Sequence, residues 1–288
     1  MLVREMIKLG ESRLTKAHCM DPWLDAELIY YHITGADRVE LFLRGREPVD
    51  EETQKRYFDL IARREQRIPL QHITGTQEFM GLNFQVNPNV LIPRQDTEIL
   101  VEEAAKIIRG DNSKTHRRKA WKVLDLCCGS GAIGIALSRI CENVKVTASD
   151  CSEPALETAK QNAKKNRVKL RFRQGDLYKA VGKRRYDLIA SNPPYIRSHM
   201  IPILQDEVKL HEPMIALDGG KDGLDFYRRI ISQAPDHLEK KGVLILEIGH
   251  DQAEDVTRLI RETGAFTKVF VRKDLAGHDR VVYASALY

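Results

Sequence analysis

The chain has 288 residues, and its 46 Lys and Arg outnumber its 41 Asp and Glu to give a net charge of +5. With 42% hydrophobic and 30% charged residues, it lies outside the weakly hydrophobic, highly charged class of disordered proteins. Apolar runs such as Val243–Leu246 are far shorter than the roughly 20 residues that cross a bilayer, which excludes a transmembrane protein.

The start of the chain and the cysteines bear on location. Arg4, Glu5 and Lys8 interrupt any apolar signal-peptide stretch, and the count of five cysteines is odd. Both features favour free thiols in a reducing compartment, so we expect a cytoplasmic protein. No Cys-x-x-Cys pair occurs, and the ligand spacing therefore predicts no structural metal site.

The first 70 residues have helical periodicity. Leu2, Met6 and Leu9 recur at helical spacing, and Asp21-Pro22 is typical of the start of a second helix. A third helix begins near Asp50 and ends before Pro69. We predict a small helical bundle over residues 1–70.

After Gln71 the apolar period changes from about 3.6 to 2. Leu82, Phe84 and Val86 alternate with polar residues, which is typical of a half-buried strand. We predict a β-hairpin connector over residues 71–90, joining the bundle to a domain over residues 91–288.

Strand and helix signals alternate from residue 121 onward. The predicted strands are Lys122–Leu126, Val144–Ser149, Lys169–Gln174, Tyr186–Ser191, Val243–Ile248, Thr267–Arg272 and Arg280–Ala286. Alternation of this kind predicts an α/β fold with a doubly wound, mostly parallel sheet, in which a C-terminal strand pair could run antiparallel.

A small-residue turn follows the first predicted strand of this domain. Gly129, Gly131 and Gly134 fit the G-x-G-x-x-G pattern, which on its own is weak evidence for a dinucleotide site. Asp125 before the turn would repel a pyrophosphate, and it suits an amino-bearing ligand such as the amino-acid end of S-adenosylmethionine. The candidate ligand-binding residues here are Asp125, Cys127, Cys128, Gly129, Ser130 and Gly131.

Two further carboxylates end predicted strands. Asp150 lies where a carboxylate can accept both hydroxyls of a ribose, and Asp176, beside Leu177, can accept from an adenine amino group. Asp150 could instead cap the next helix, and Asp176 could be a turn residue. Together with the glycine loop, the two carboxylates favour an adenosine-type site.

The tetrapeptide Asn192, Pro193, Pro194 and Tyr195 follows the fourth strand of the domain. The prolines fix two φ angles and offer no backbone N–H, so the segment is a stiff turn. The Asn192 side-chain oxygen and the Pro193 carbonyl can each accept one hydrogen of an –NH2 group, and Tyr195 can pack on its flat face. The alternative is a purely structural turn.

Asn192–Tyr195 resembles the (N/D)PP(Y/F/W) motif of S-adenosylmethionine-dependent methyltransferases that modify exocyclic or amide nitrogens. Residues 67–102, which include LIPRQDTE, resemble the connector of the release factor glutamine methyltransferases. The other segments that resemble this family are DLCCGSGAIGIAL, SNPPYI, HEPMIALDGGKDGLDFYRRI, LILEIGHDQ and AGHDRVVYA. Cys127-Cys128 departs from it, because many members carry Gly-Thr or a similar pair there.

The resemblance implies a seven-strand class I methyltransferase sheet, an N-terminal helical bundle and a hairpin connector. Because a lone glutamine offers too little contact area, we expect the bundle to dock the substrate. It implies transfer from S-adenosylmethionine, with S-adenosylhomocysteine as product and no metal, to N5 of the glutamine in the Gly-Gly-Gln motif of class 1 release factors. Neither a membrane nor direct nucleic-acid contact is required, although the ribosome is a potential neighbour. Cys127–Gly131, Asp150, Asp176, Leu177 and Asn192 match the family's cofactor positions, and Asn192–Tyr195 matches its catalytic, glutamine-binding tetrapeptide.

Three other functions share parts of these patterns. A DNA or RNA amino-methyltransferase of the N6-adenine type uses the same tetrapeptide, but it would carry a large basic recognition domain. A non-catalytic module that has kept the fold conflicts with the intact tetrapeptide. An NAD-dependent dehydrogenase conflicts with Asp125 before the turn.

Overall fold

The structure is a computed structural model that describes residues 1–111 and 120–287. Its α-helices are α1 (Val3–Lys16), α2 (Pro22–Thr34), α3 (Arg38–Arg44), α4 (Glu51–Glu65), α5 (Leu70–Thr74), α6 (Asp96–Asp111), α7 (Ala132–Ile140), α8 (Glu153–Lys165), α9 (Asp206–His211), α10 (Asp225–His237) and α11 (Ala253–Glu262). Its strands are β1 (Thr76–Phe79), β2 (Leu82–Gln85), β3 (Trp121–Leu126), β4 (Val144–Asp150), β5 (Arg171–Gln174), β6 (Tyr186–Ser191), β7 (Leu238–Glu247), β8 (Phe266–Lys273) and β9 (Asp279–Ala286). In these described ranges, no helix has the length and apolar character needed to cross a membrane.

The chain divides into two units. The first comprises Met1–Thr76 together with Gln205–His211, and the second comprises the described parts of Gln77–Leu204 and Glu212–Tyr288. Helix α9 therefore belongs to the first unit, although the chain on both sides of it belongs to the second. The periodicity of the sequence gives no sign of this exchange.

The first unit is a helical bundle with capped helices. The Asp37 side chain accepts from two backbone N–H groups at the start of α3, and Asp50 accepts from the Thr53 N–H at the start of α4. Met6, Ile29 and Tyr57 are fully buried between α1, α2 and α4. Short-range capping thus sets the ends of helices whose apolar faces form one core.

A buried ion cluster fixes α9 within the first unit. Arg64 donates to Asp25 at 2.7 Å and contacts Glu207 of α9 at 2.9 Å. Arg67 also binds Glu207 with two nitrogen–oxygen contacts, at 2.8 and 2.5 Å. The guanidinium of Arg64 is nearly inaccessible to solvent, so these carboxylates supply the charge compensation that its burial requires.

The second unit confirms the predicted doubly wound, mostly parallel seven-strand sheet. The strand order is β5-β4-β3-β6-β7-β9-β8, and β9 runs antiparallel to both β7 and β8. Leu124 and Leu126 of β3 pack in a core with residues of α10 and α11, whereas Val123 packs with residues of α6 and α7. Alternate β3 side chains therefore contact helices on opposite faces of the sheet.

The two-stranded β1–β2 hairpin precedes this sheet and covers less of the chain than the predicted connector over residues 71–90. Leu70–Thr74 form a helical turn that ends at Gly75, whose φ is +75°. A glycine accommodates this left-handed conformation without the steric cost of a side chain. The chain therefore enters the hairpin only at Thr76.

Candidate active site

The loop between β3 and α7 is tightly folded. Cys127, Gly129 and Gly131 all have positive φ angles, of 60°, 50° and 81°. A Cβ on Gly131 would lie 3.0 Å from Ile135 Cδ1 and 3.2 Å from Ala159 Cβ, so glycine permits close packing there. Cys127 holds a left-handed conformation that β-carbon sterics disfavour, and this is the position at which the sequence departs from the Gly-Thr pattern.

Asp125 supports this loop from the interior of the domain. It is fully buried, and the Gly134 N–H donates to its Oδ2 at 2.8 Å. Its Oδ1 has no hydrogen-bond partner among the residues that the structure describes. Burial raises the pKa of Asp125 to about 7. The side chain is directed toward α7 and is not part of the cavity wall described next.

A cavity of about 260 Å³ lies at the carboxyl ends of the parallel strands. Its wall brings together six of the predicted site residues, namely Cys127, Asp150, Asp176, Leu177, Asn192 and Pro194. The other predicted site residues in the loop and the tetrapeptide, which are Cys128, Gly129, Ser130, Gly131, Pro193 and Tyr195, adjoin these along the chain. Asn89, Phe226 and Arg229 also line the cavity, and none of them is among the site residues predicted from the sequence.

Asp150 connects the end of β4 to the glycine loop. Its Oδ2 accepts from the Gly129 N–H and its Oδ1 from the Ser152 N–H, both at 2.9 Å. A carboxylate oxygen has two lone pairs, so each oxygen keeps capacity to accept a further hydrogen bond. The cap of helix α8 is Ser152, whose hydroxyl accepts from the Ala155 N–H, and Asp150 is therefore not that cap.

Asp176 lies across the cavity and is paired with an arginine. Arg229 of α10 contacts both of its carboxylate oxygens, at 2.6 and 2.5 Å. The hydrogen bond from Arg229 lowers the pKa of Asp176 below its ordinary value. Leu177 begins a 3₁₀ helix, Leu177–Ala180, directly after Asp176. Any ligand at this end of the cavity meets an ion pair and not an isolated carboxylate.

The tetrapeptide follows β6 and is held from two sides. The Asn192 Nδ2 donates to the Thr97 hydroxyl at 3.3 Å, and the Tyr195 hydroxyl donates to Glu247 Oε1 at 3.2 Å. Behind the turn, a Cβ on Gly219 would lie 2.7 Å from Tyr195 Cα, so glycine allows this close approach. Because its amide nitrogen is directed to Thr97, Asn192 keeps its Oδ1 available in the cavity wall.

Glu247 is the most deeply buried acidic group beside the tetrapeptide, with 1% of its surface exposed. Burial raises the pKa of its carboxyl group to about 7, although Thr97, Arg280 and Tyr195 oppose the shift. Neither Thr97 nor Glu247 is among the site residues predicted from the sequence. The available signal was a glutamate at the end of the apolar run Val243–Leu246, where a charged side chain requires partners.

Comparisons with known proteins agree along the whole chain. Family models described as "PrmC N-terminal domain" and "Methyltransferase small domain" match residues 5–75 and 104–209. The chain is 40% identical to the release factor glutamine methyltransferase of Clostridium botulinum over 99% of both chains. It is 42% identical to that of Clostridium acetobutylicum over 90% of both chains.

A solved methyltransferase from Pyrococcus furiosus is similar to this chain in fold. It is 22% identical, with a TM-score of 0.51, and the match covers 72% of this chain and 89% of that one. At this identity the similarity extends to the fold alone. The matches to the two Clostridium relatives, in contrast, cover 99% and 90% of this chain and therefore include residues of both units.

Proposed function

The chain belongs to the release factor glutamine methyltransferases, and on this premise we propose that it methylates the side-chain amide nitrogen, N5, of the Gly-Gly-Gln glutamine in class 1 peptide chain release factors. The observation that carries the proposal is Asn192, held by Thr97 with its Oδ1 free at the wall of the strand-end cavity. A DNA or RNA amino-methyltransferase shares the tetrapeptide, but membership of this family favours the release factor.

The residues of the cavity fit S-adenosylmethionine. Asp150 keeps acceptor capacity for two ribose hydroxyls, and the Asp176–Arg229 pair offers both donors and acceptors to an adenine ring. Asp125 lies outside the cavity wall, so its buried Oδ1, which has no partner among the described residues, is an acceptor for the amino group of the ligand only through a bridging water molecule. When bound, S-adenosylmethionine supplies an electrophilic sulfonium methyl group, and S-adenosylhomocysteine is the product.

The tetrapeptide positions the poorly nucleophilic amide. The Asn192 Oδ1 and the Pro193 carbonyl accept the two hydrogens of the target –NH2, which leaves its nitrogen facing the cavity. Holding the nitrogen in line with the methyl group contributes ~7–11 kcal/mol, the range for well-oriented intramolecular reactions. The same two oxygens stabilise the positive charge that develops on nitrogen, so no strong base is required before the transfer.

The first unit supplies a docking surface for the release factor. Trp23 and Phe42 line a surface groove of that unit and are 48% and 73% exposed. Arg4, Lys8 and Arg38 line the same groove and outnumber its acidic residue, Glu27, which favours an acidic partner surface with apolar side chains. A single glutamine offers little contact area, so a separate docking surface explains how one protein is selected.

Substitution of Asn192 tests the proposed chemistry. We expect Asn192→Ala to slow single-turnover methyl transfer to release factor by about 10²–10³ at saturating cofactor, because one positioned acceptor is lost. Asn192→Asp keeps the shape and an acceptor oxygen, and it should retain more activity than Asn192→Ala.

The matched control is Asn166→Ala, which removes an amide that donates to the Asn83 carbonyl at the protein surface. Its transfer rate should equal that of the wild type. Labelled RNA and DNA, offered to the wild type beside release factor, should remain unmethylated. A wild-type rate in Asn192→Ala would show that the tetrapeptide is only a turn.

A further inference from the structure

A chain of polar contacts leads from Asn192 into the interior of the domain. Asn192 donates to the Thr97 hydroxyl, and Thr97 in turn lies close enough to Glu247 to hold down the pKa of its carboxyl group. The parallel register pairs Ser191 of β6 with Leu246 of β7, so the next residues along the two strands, Asn192 and Glu247, come at the same level of the sheet. Three residues from separate parts of the chain therefore meet behind the cavity wall.

The direction of these hydrogen bonds depends on the charge of Glu247. A hydroxyl has one proton to donate, and a carboxylate can only accept. When Glu247 is ionised, the Thr97 proton is directed to it, and the Thr97 oxygen must then accept from Asn192. The amide group of Asn192 is thereby fixed with nitrogen toward Thr97 and oxygen toward the cavity.

We propose that Glu247 is a positioning residue of the transfer reaction: its carboxylate, acting through Thr97, fixes the Asn192 amide so that Oδ1 meets the target –NH2. This proposal rests on the proposed function. Glu247 also accepts from the Tyr195 hydroxyl at 3.2 Å, so one carboxylate orders both ends of the tetrapeptide.

The charged groups around Glu247 come from several elements. Arg280 of β9 stabilises its ionised form, but Arg280 is shared with Asp96 of α6 and with Asp274, each at 3.1 Å. Asp96 opposes ionisation of Glu247. Tyr227 of α10 donates to the Glu247 backbone carbonyl at 2.8 Å and does not occupy the carboxylate.

The balance of burial and these charges leaves the Glu247 pKa at about 7. The orientation of Asn192 is therefore secured above that pH. This orientation is lost as the pH falls below the pKa of Glu247, because a protonated carboxyl group no longer requires the Thr97 proton. We expect kcat for release factor to rise with pH through an inflection near 7.

Removal of the charge at constant shape tests the proposal. Glu247→Gln should lower kcat by about tenfold to a hundredfold and abolish the inflection, with the Kd for S-adenosylmethionine nearly unchanged. Thr97→Val should give the same result, and Thr97→Ser, which keeps the hydroxyl, should restore the wild-type rate. The double variant Thr97→Val/Glu247→Gln should be no slower than either single variant, because both break one relay.

A matched control separates positioning from folding. Glu103→Gln also neutralises a buried carboxylate of the same unit, one that pairs with Lys106 and Arg272 away from the tetrapeptide. It should change kcat and its pH profile by less than twofold. If Glu247→Gln keeps both the wild-type kcat and the inflection, Glu247 does not position Asn192.

An NMR titration tests the relay without any transfer. The side-chain amide signals of Asn192 should shift with the Glu247 carboxyl signal in the wild type and stay constant in Glu247→Gln. Coupled titration in a wild type that leaves release factor unmethylated would refute the proposed function and support the relay. Methyl transfer to release factor without coupled titration of Asn192 and Glu247 would support the proposed function and refute the relay.

Discussion

Asp150 combines a structural task with a binding task in one carboxylate. It accepts from the backbone on both sides, at Gly129 and Ser152, and it also lines the cavity. The sequence predicts the binding task from its place at a strand end and gives no sign of the structural one, because Gly129 lies 21 residues earlier. Its substitution should therefore affect both ligand affinity and stability.

We expect Asp150→Ala to weaken S-adenosylmethionine binding by about tenfold to a hundredfold, the equivalent of about 1.5–3 kcal/mol for hydrogen bonds to a charged group. It should also lower the free energy of unfolding, because two backbone N–H groups lose their acceptor. Calorimetric titration and urea denaturation measure the two effects. Glu153→Ala, an exposed carboxylate nearby, serves as the control and should alter neither, whereas an unchanged Kd in Asp150→Ala would rule out the ribose contact.

At the scale of elements, Glu207 provides the most buried ion pairs that hold helix α9 in the first unit. Burial alone would raise the pKa of Glu207, but hydrogen bonds from Arg67 and Arg64 lower it to about 2. Since the ordinary value is 4.5, this group stabilises the fold fully above pH 4.5. The contribution is lost as the pH falls from about 4.5 to about 2.

Glu207→Gln should therefore lower the free energy of unfolding of the first unit by about 3 kcal/mol at neutral pH, the equivalent of the pKa shift from 4.5 to about 2, while Arg64 keeps Asp25 as a partner. The difference from the wild type should shrink between pH 4.5 and 2. Denaturant titrations across that range measure it. Asp206→Asn, on the same helix but with a more accessible side chain, should have a much smaller effect at every pH. Equal effects of the two substitutions would contradict this assignment.

Most strands and helices follow from periodicity, but their contacts do not. The strand Tyr186–Ser191 has the predicted bounds, because the apolar run Leu188–Ala190 leads directly into the Asn-Pro-Pro turn that ends it. Strand β7 begins at Leu238, five residues before the predicted start, since Lys240 and Lys241 conceal its pattern. Three site residues lie far along the chain from the residues they contact. Thr97 is 95 residues from Asn192, Arg229 is 53 from Asp176, and Glu247 is 52 from Tyr195. The periodicity of a single sequence does not indicate contacts at such separations.

For the whole molecule, affinity for release factor should be separable from chemistry. The double variant Trp23→Ala/Phe42→Ala should raise the KM for release factor about tenfold or more, because exposed aromatic side chains often dominate protein interfaces. Its kcat and its Kd for S-adenosylmethionine should stay constant. Steady-state kinetics with intact release factor measure the split. Leu275→Ala, which truncates a fully exposed side chain of the second unit, is the control. A KM equal to that of the wild type would exclude the groove as the docking surface.

The segment Gln205–His211 belongs to the first unit but follows most of the second unit in the sequence, and this sets an order of assembly during synthesis. About 130 residues separate Thr76 from Gln205. At ribosomal speeds of roughly 5–20 residues per second, Glu207 emerges on the order of ten seconds after the N-terminal helices. Arg64 has two carboxylate partners, Asp25 and Glu207. During that interval only Asp25 has been synthesised. A chimera that takes its N-terminal helices from a relative should therefore fold well only when residues 205–211 come from the same parent.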